Sequence, residues 1–208
     1  MIDAIVLAAG LATRMGGAVK ALTPVAGEPA LSIVLRRVRE AGIASPVVVL
    51  GHGADAVRRA VDLSGVRIVE NPAPADGLSS SLRLGLSVVG TLGPGVLVLH
   101  ADMPAVSATT IRAILEAAEE GARLAAPAYQ GQRGFPVFIA RSLFEELEAV
   151  LEGDAGARKL LGRHADDLVL VPVEDPGCIL DVDRPKDLEA LAMAMERTER
   201  RSSCATSV

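Results

Sequence analysis

Aromatic side chains are nearly absent. The 208 residues include three Phe, one Tyr and no Trp, 2 % in all. The core must therefore be built from Ala, Val, Leu and Ile. Recognition of single-stranded nucleic acid by base stacking needs aromatic platforms, and a net charge of −5 opposes binding to a phosphate backbone. No nucleic-acid partner is expected. A single nucleotide is not excluded, because a few local cations and a metal suffice for it. Lysine is scarce too, occurring only as Lys20, Lys159 and Lys186, which draws attention to Lys20 inside a glycine-bearing stretch. The two cysteines, Cys178 and Cys204, show no CxxC or Cys/His spacing, so no zinc or redox site is indicated. No apolar run approaches the roughly 18 to 20 residues that span a bilayer, and no membrane partner is expected. Met1-Ile2-Asp3-Ala4 leads into a strand-like segment without a signal peptide, so the expected location is cytoplasmic. Two nucleotide fingerprints are also missing. Without GxGxxG after the first strand a dinucleotide fold is unsupported, and without GxxxxGK[ST] this is not a P-loop.

What is present is a hydrophobic chain, 50 % by composition, of a length that suits one α/β domain. That domain is expected over residues 1–200, with residues 201–208 a polar, disordered tail. Short β-branched runs at residues 5–7, 46–50, 66–69 and 96–99 read as strands. Leu31, Val34, Leu35 and Val38 recur at helical spacing, with Pro29 in the first turn and Gly42 at the end. Further helices are expected at 54–61, after Ser79-Ser80-Ser81, and after Ser107, which can cap its helix. Beyond Arg123 the rhythm changes. Residues 124–128, 136–140, 168–173 and 179–182 read as strands, 143–151 and 155–164 as helices, and a last helix begins near Pro185. Alternating strands and helices predict a three-layer α/β/α architecture, a Rossmann-like, mostly parallel sheet with some antiparallel pairing in the C-terminal half. Ligands of such sheets bind beyond the carboxyl ends of the strands, so the segments after Leu7, Val69, Leu99 and Val182 are the ones to read for chemistry.

The first runs from Leu7-Ala8-Ala9-Gly10 through Arg14-Met15-Gly16-Gly17 to Lys20. Small residues let backbone approach a ligand, N–H groups can cradle phosphates, and Arg14 and Lys20 add charge; the bland reading is a flexible connection. The second, Asn71-Pro72 followed by Gly77-Leu78-Ser79-Ser80-Ser81, offers donors and hydroxyls at a helix start, although plain capping would need only one serine. In the third, Asp102 follows a buried strand and is placed to hold a divalent cation; magnesium takes one or two protein carboxylates. In the fourth, Asp181 and Asp183 of an extended segment share a side, so a metal is a sensible neutraliser. The histidines His52, His100 and His164 have no metal-ligand spacing and read as loop or packing residues.

Taken together and in order, these segments resemble the MobA-like NTP transferases, and within them most closely the molybdenum cofactor cytidylyltransferases. The closer likeness rests on Gly77-Leu78-Ser79-Ser80-Ser81-Leu82-Arg83, Ala101-Asp102-Met103-Pro104, Gly131-Gln132-Arg133-Gly134-Phe135-Pro136-Val137, Gly153-Asp154-Ala155-Gly156-Ala157-Arg158 and Asp181-Val182-Asp183-Arg184-Pro185-Lys186-Asp187, covering about residues 2 to 195. The resemblance implies a nucleotide-diphospho-sugar transferase-like fold and a role for each segment. Leu7, Ala8, Ala9 and Gly10 would hold base and triphosphate, with Arg14 and Lys20 on the phosphates. Ser80 and Ser81 would face the base or ribose. Asp102 would bind Mg²⁺ (or Mn²⁺), helped by Asp181 or Asp183. Arg133, Gly134, Phe135 and Pro136 would border the acceptor. The Ala8-Ala9 pair resembles cytidylyl more than guanylyl enzymes. Two positions depart from the pattern: Val19 stands where the family usually has proline, and Phe135 where many cytidylyltransferases have histidine.

The expected reaction is transfer of CMP from CTP, or another NTP, to a phosphorylated acceptor, molybdopterin, with loss of pyrophosphate; a molybdoenzyme or its chaperone would then be the protein partner. Lys20, Arg14 and Asp102 are the expected catalytic groups. Two alternatives stay open: transfer to a different acceptor (a sugar phosphate, methylerythritol phosphate or phospholactate-like acid), or a non-catalytic nucleotide-binding accessory protein for a molybdoenzyme.

Overall fold

The computed structural model describes residues 2–12, 18–90, 93–182 and 187–195. Arg14 and Asp183 lie outside these residues, as does the tail from 196 onward. The chain begins with β1 (Asp3–Ala8), and residues 11–12 then pair antiparallel with 18–19. A second two-residue ladder, Pro24–Val25 with Glu28–Pro29, precedes α1 (Ala30–Glu40). There follow β2 (Val47–Leu50), α2 (Ala54–Ala60), β3 (Arg67–Glu70), α3 (Leu78–Val88), β4 (Gly95–His100) and α4 (Ala108–Glu119). The second half adds β5 (Leu124–Tyr129), β6 (Gln132–Arg133), β7 (Val137–Ala140), α5 (Phe144–Val150), α6 (Arg158–Arg163), β8 (Leu168–Pro172) and a helix over residues 187–195.

The sheet is mostly parallel around its centre, as the alternating pattern implies. β1 pairs parallel with β2 on one side and β4 on the other, and β2 pairs parallel with β3. β7 runs antiparallel between β4 and β5, and β8 pairs parallel with β5. Strand alternation explains the layers. Ala4, Val6, Ala8, Val48, Leu50, Leu97 and Leu99 face one way, onto α1, α2 and α4. Ile5, Leu7, Val47, Val49, Val96 and Val98 face the other, onto α3, α5 and α6. A strand buried on both faces has no polar phase, hence the unbroken apolar runs. A smaller cluster joins Ala30 and Ile33 of α1 to Val182 and to Leu191, Ala194 and Met195 of the last helix.

Three local expectations are corrected. Residues 179–182 do not form a strand. Asp175 accepts from the Gly177 N–H, Pro176 opens a 3₁₀ turn over Pro176–Ile179, and the chain then reaches the site through one backbone bond, Val182 N–H to Asp102 O at 2.9 Å. Pro29 is the residue before α1 rather than part of its first turn, because its N-terminal ladder keeps it extended (ψ 136). Gln132 and Arg133, read as a connection, form a hairpin with β5. Gln130 and Gly131 both have positive φ (50 and 80), as a two-residue turn matched to strand twist requires.

Candidate active site

The chain runs β1, β2, β3 in one direction and then crosses to place β4 on the other side of β1. That reversal is a topological switch point, where an open α/β sheet leaves a crevice at its strand ends. A cleft of about 910 Å³ opens there, at the upper end of the size range of small-molecule sites. Leu7, Ala8, Ala9 and Gly10 continue from β1 along it, and the Ala101 N–H bonds to Leu7 O at 3.0 Å, holding the ends of β1 and β4 together. The loop after β2 supports this floor. A Cβ on Gly51 would come within 2.8 Å of Ala9 O, and one on Gly53 within 2.3 Å of Val19 Cγ2. This close packing brings His52 to the cleft wall.

The ionic part of the cleft centres on Lys20, whose Nζ donates to Asp102 Oδ2 at 3.1 Å with the two side chains 21 % and 18 % exposed. Asp181 lines the same cleft, and the neighbouring Val182 N–H bond to Asp102 O fixes that segment beside β4. The anchor for this approach is Asp175. Its buried carboxylate accepts from the Ser107 N–H (2.9 Å), Thr110 Oγ1 (2.6 Å) and the Gly177 N–H (2.9 Å), while Ser107 Oγ caps α4 through Thr110 N–H as expected. Burial holds the His100 imidazole below its ordinary pKa, and the charge of Lys20 acts in the same direction; Asp102 and Asp181 oppose both. Two carboxylates from different segments on one wall form a hard oxygen donor set. With phosphate oxygens and water completing the shell, that set fits Mg²⁺ or Mn²⁺.

The serine cluster is organised by Asn71. This buried side chain donates to Ser80 Oγ at 2.8 Å and Ser81 Oγ at 2.9 Å, and accepts from the Ala73 N–H at 2.9 Å. Ser80 also donates to Gly77 O at 2.8 Å, so its hydroxyl is committed to the fold; Ser81 lines the cleft. The segment 153–158 lies across the start of α3. Asp154 Oδ1 accepts from the Leu78 N–H at 3.2 Å, and the Gly156 N–H donates to Ser79 Oγ at 3.1 Å. Asp154 and Arg158 thereby join the cleft wall with Gly77 and Leu78.

Arg133, Gly134, Phe135 and Pro136 are elsewhere. Arg133 is exposed on the β6 hairpin. Gly134 is pressed against Cys178, where a Cβ would meet Cys178 O at 2.2 Å. The Phe135 ring stands edge-on to His100 at 4.5 Å, and Phe135 and Pro136 line a small void of about 10 Å³ with Val34, Leu99 and Met103. Among the described residues His100 alone borders both this void and the cleft. Sequence reading missed His52, His100, Asp154 and Arg158 as cleft residues. The position of His52 two residues past the end of β2 could have revealed it. The family resemblance picks out the stretch holding Asp154 and Arg158 but gives it no place, because the partner of Asp154 is Leu78, 76 positions away.

Comparison with known proteins gives this geometry its family. The profile of the MobA-like NTP transferase domain matches residues 4–168. The chain belongs to the MobA-like NTP transferase family. Its relatives include nicotine blue oxidoreductase of Paenarthrobacter nicotinovorans, 30 % identical over 197 residues, 91 % of this chain and 96 % of that one. The crystal structure of Rv0371c from Mycobacterium tuberculosis H37Rv is 32 % identical with a TM-score of 0.80, over 92 % of this chain and 97 % of that chain. A nucleotidyl transferase from Methanothermobacter thermautotroptrophicus is 28 % identical with a TM-score of 0.78, over 95 % and 99 %. This MobA-like chain thus shares its mixed, mostly parallel sheet with nucleotidyl transferases along nearly its whole length. Among its described residues no helix is long and apolar enough to cross a membrane.

Proposed function

We propose that this chain transfers CMP from CTP to the terminal phosphate of molybdopterin. The acceptor phosphate oxygen attacks the α-phosphorus in line; a new P–O bond forms as the bond to the bridging oxygen breaks, and pyrophosphate leaves with its charge. The observation that carries the reading is the Lys20–Asp102 pair at the switch point of the sheet, inside a cleft large enough for a nucleotide. A phosphate nucleophile is already ionised near neutral pH, so the protein has little acid–base work to do. Its task is to position two anions and to neutralise the charge that develops between them.

Lys20 supplies fixed positive charge to the phosphates, and the backbone of Leu7, Ala8, Ala9 and Gly10 approaches them closely because no large side chain intervenes. Asp102 and Asp181 are the described residues that would hold Mg²⁺ or Mn²⁺; the ion would draw off charge from the phosphate oxygens. A crystal structure of Rv0371c complexed with manganese, 31 % identical with a TM-score of 0.77, supports a divalent cation in this family. Arg14 on the phosphates and Asp183 beside the metal complete the proposed set. Of the residues that the resemblance sets at the acceptor, Phe135 and Pro136 would act only through His100, which stands between them and the cleft. The Ala8-Ala9 pair supports CTP over GTP.

The test is pyrophosphate release by the purified protein with Mg²⁺ and molybdenum cofactor, offering CTP, GTP, ATP and UTP in parallel. Release with CTP that requires the cofactor is the expected result. Release with another acceptor, such as a sugar phosphate or methylerythritol phosphate, would keep the nucleotidyl transfer and replace the acceptor. Nucleotide binding without release for any acceptor would sink the catalytic reading in favour of an accessory protein.

A further inference from the structure

We infer that Asp154 reads the nucleobase, accepting a hydrogen bond from the exocyclic amine of cytosine. The inference rests on the nucleotidyl-transfer reading and names the residue that selects its nucleotide. The cleft sorts its groups by chemistry. Lys20 pairs with Asp102, and the Val182 N–H bond to Asp102 O sets Asp181 on the same cleft; this is where phosphates and a cation belong. Ala8, Ala9, Pro74, Ala75, Gly77 and Leu78 form uncharged wall, suited to the flat, weakly polar face of a base. Asp154 and Arg158 stand on that wall, and of the two only the carboxylate can accept from an amine.

The Asp154 carboxylate is exposed at the cleft mouth and anchored to the fold at one oxygen. Oδ1 accepts from the Leu78 N–H at 3.2 Å. The backbone beneath it is seated on Gly77, where a Cβ would lie 2.5 Å from the Gly153 carbonyl carbon, and Gly77 itself has φ +91. On the other side the Gly156 N–H bonds to Ser79 Oγ, and a Cβ on Gly156 would meet Leu78 Cδ2 at 2.9 Å. An ionised carboxylate has two accepting oxygens and no donor. With Oδ1 given to the helix backbone, Oδ2 accepts from whatever ligand group fills the uncharged wall. Cytosine presents an N4 amine there; uracil presents O4, an acceptor, at the same edge. Carboxylate against amine is the recognised pairing for cytosine, whereas O4 of uracil would meet the carboxylate acceptor to acceptor. The negative charge of Asp154 acts on both triphosphates alike, so it cancels from the comparison.

The experiment is calorimetric titration of CTP and UTP into the full chain with Mg²⁺ and no acceptor, for the wild type and Asp154→Asn. Asparagine keeps an oxygen for the Leu78 N–H and turns an amide donor toward the ligand. The wild type should bind CTP about ten-fold or more tighter than UTP; in D154N the preference should vanish or reverse. N4,N4-dimethyl-CTP, tested on the unaltered protein, should bind as weakly as UTP or weaker. A wild type indifferent to base, a D154N protein with normal thermal stability and an unchanged CTP-to-UTP ratio, or full affinity for the dimethyl analogue would each overturn the assignment. Failure of the wild type to bind any nucleotide would instead bring down the nucleotidyl-transfer reading beneath it.

Discussion

Lys20 shows how much depends on one side chain when a chain has so few of its kind. Its ammonium is held 3.1 Å from Asp102 and remains partly open to the cleft. In the proposed reaction its charge acts most strongly when negative charge gathers between the α-phosphate and the departing pyrophosphate. Replacing Lys20 by Ala should lower kcat on the order of 100-fold, the effect of removing one transition-state donor worth roughly 3 kcal/mol. Some loss of thermal stability is expected too, because both side chains are mostly buried and Asp102 loses this partner. Steady-state kinetics beside a melting curve separate the two; near-normal turnover would remove Lys20 from the mechanism. Cys178, in contrast, is no candidate nucleophile. Burial, reinforced by Asp175, pushes its thiol up to about 12, so the reactive thiolate is scarce at neutral pH.

At the level of the element, α3 ties stability to the site. Its middle crosses β1 at Gly85, where a Cβ would sit 2.7 Å from Ile5 Cγ2 and 3.0 Å from Ile5 Cδ1. Ile5 is fully buried and β-branched, so it has no easy alternative rotamer. A larger residue must lift the helix off the strand. Gly85→Val should therefore destabilise the protein by about 2 kcal/mol, within the usual cost of overpacking, and lower Tm by roughly 4 to 8 °C. Since the start of α3 carries Gly77, Leu78 and Ser81 at the cleft, nucleotide affinity should fall as well. An unchanged Tm would show that the helix is not seated by this contact.

For the whole molecule, one surface cluster joins α5, α6 and the turn before β8. His164 Nε2 is 2.8 Å from Glu146 Oε2, and its Nδ1 is 3.4 Å from Asp167 Oδ2. The bond to Glu146 raises the His164 pKa above its ordinary 6.5, and the same bond lowers that of Glu146 below 4.5. A raised histidine stabilises the folded state fully below the unfolded pKa and loses that contribution as pH rises through the folded pKa. A depressed carboxylate behaves oppositely, losing its contribution as pH falls through the folded value. The pair is therefore worth most between 4.5 and 6.5. The Tm gap between the wild type and His164→Gln should be widest in that window and shrink as pH rises above it; a gap independent of pH would rule the ion pair out as its source. Fold alone does not carry function at this scale either. A relative along nearly the whole chain bears the name of an oxidoreductase, so the scaffold does not dictate the chemistry, and the proposed function rests on Lys20, Asp102 and Asp181.

The layers and the floor of the site are legible in the amino-acid sequence. β-branched runs and helical spacing are local signals, and the strand-end rule turns them into positions for Leu7 to Gly10, Lys20 and Asp102. Packing settles the rest, because the remaining contacts join residues far apart in the chain. Residues 179–182 carry the composition of a strand, yet Asp175 and Pro176 turn the chain so that it cannot pair. Ser80 reads as a ligand contact, but Asn71 and Gly77 take up its hydroxyl. Phe135, which the family resemblance puts at the acceptor, lies behind His100, since Gly134 and Phe135 are drawn against Cys178. Asp154 enters the cleft only because α3 lacks a capping side chain at Gly77 and takes one from another part of the chain. No local pattern encodes such a contact: its free energy belongs to two segments at once, and it exists only after both have packed onto the sheet.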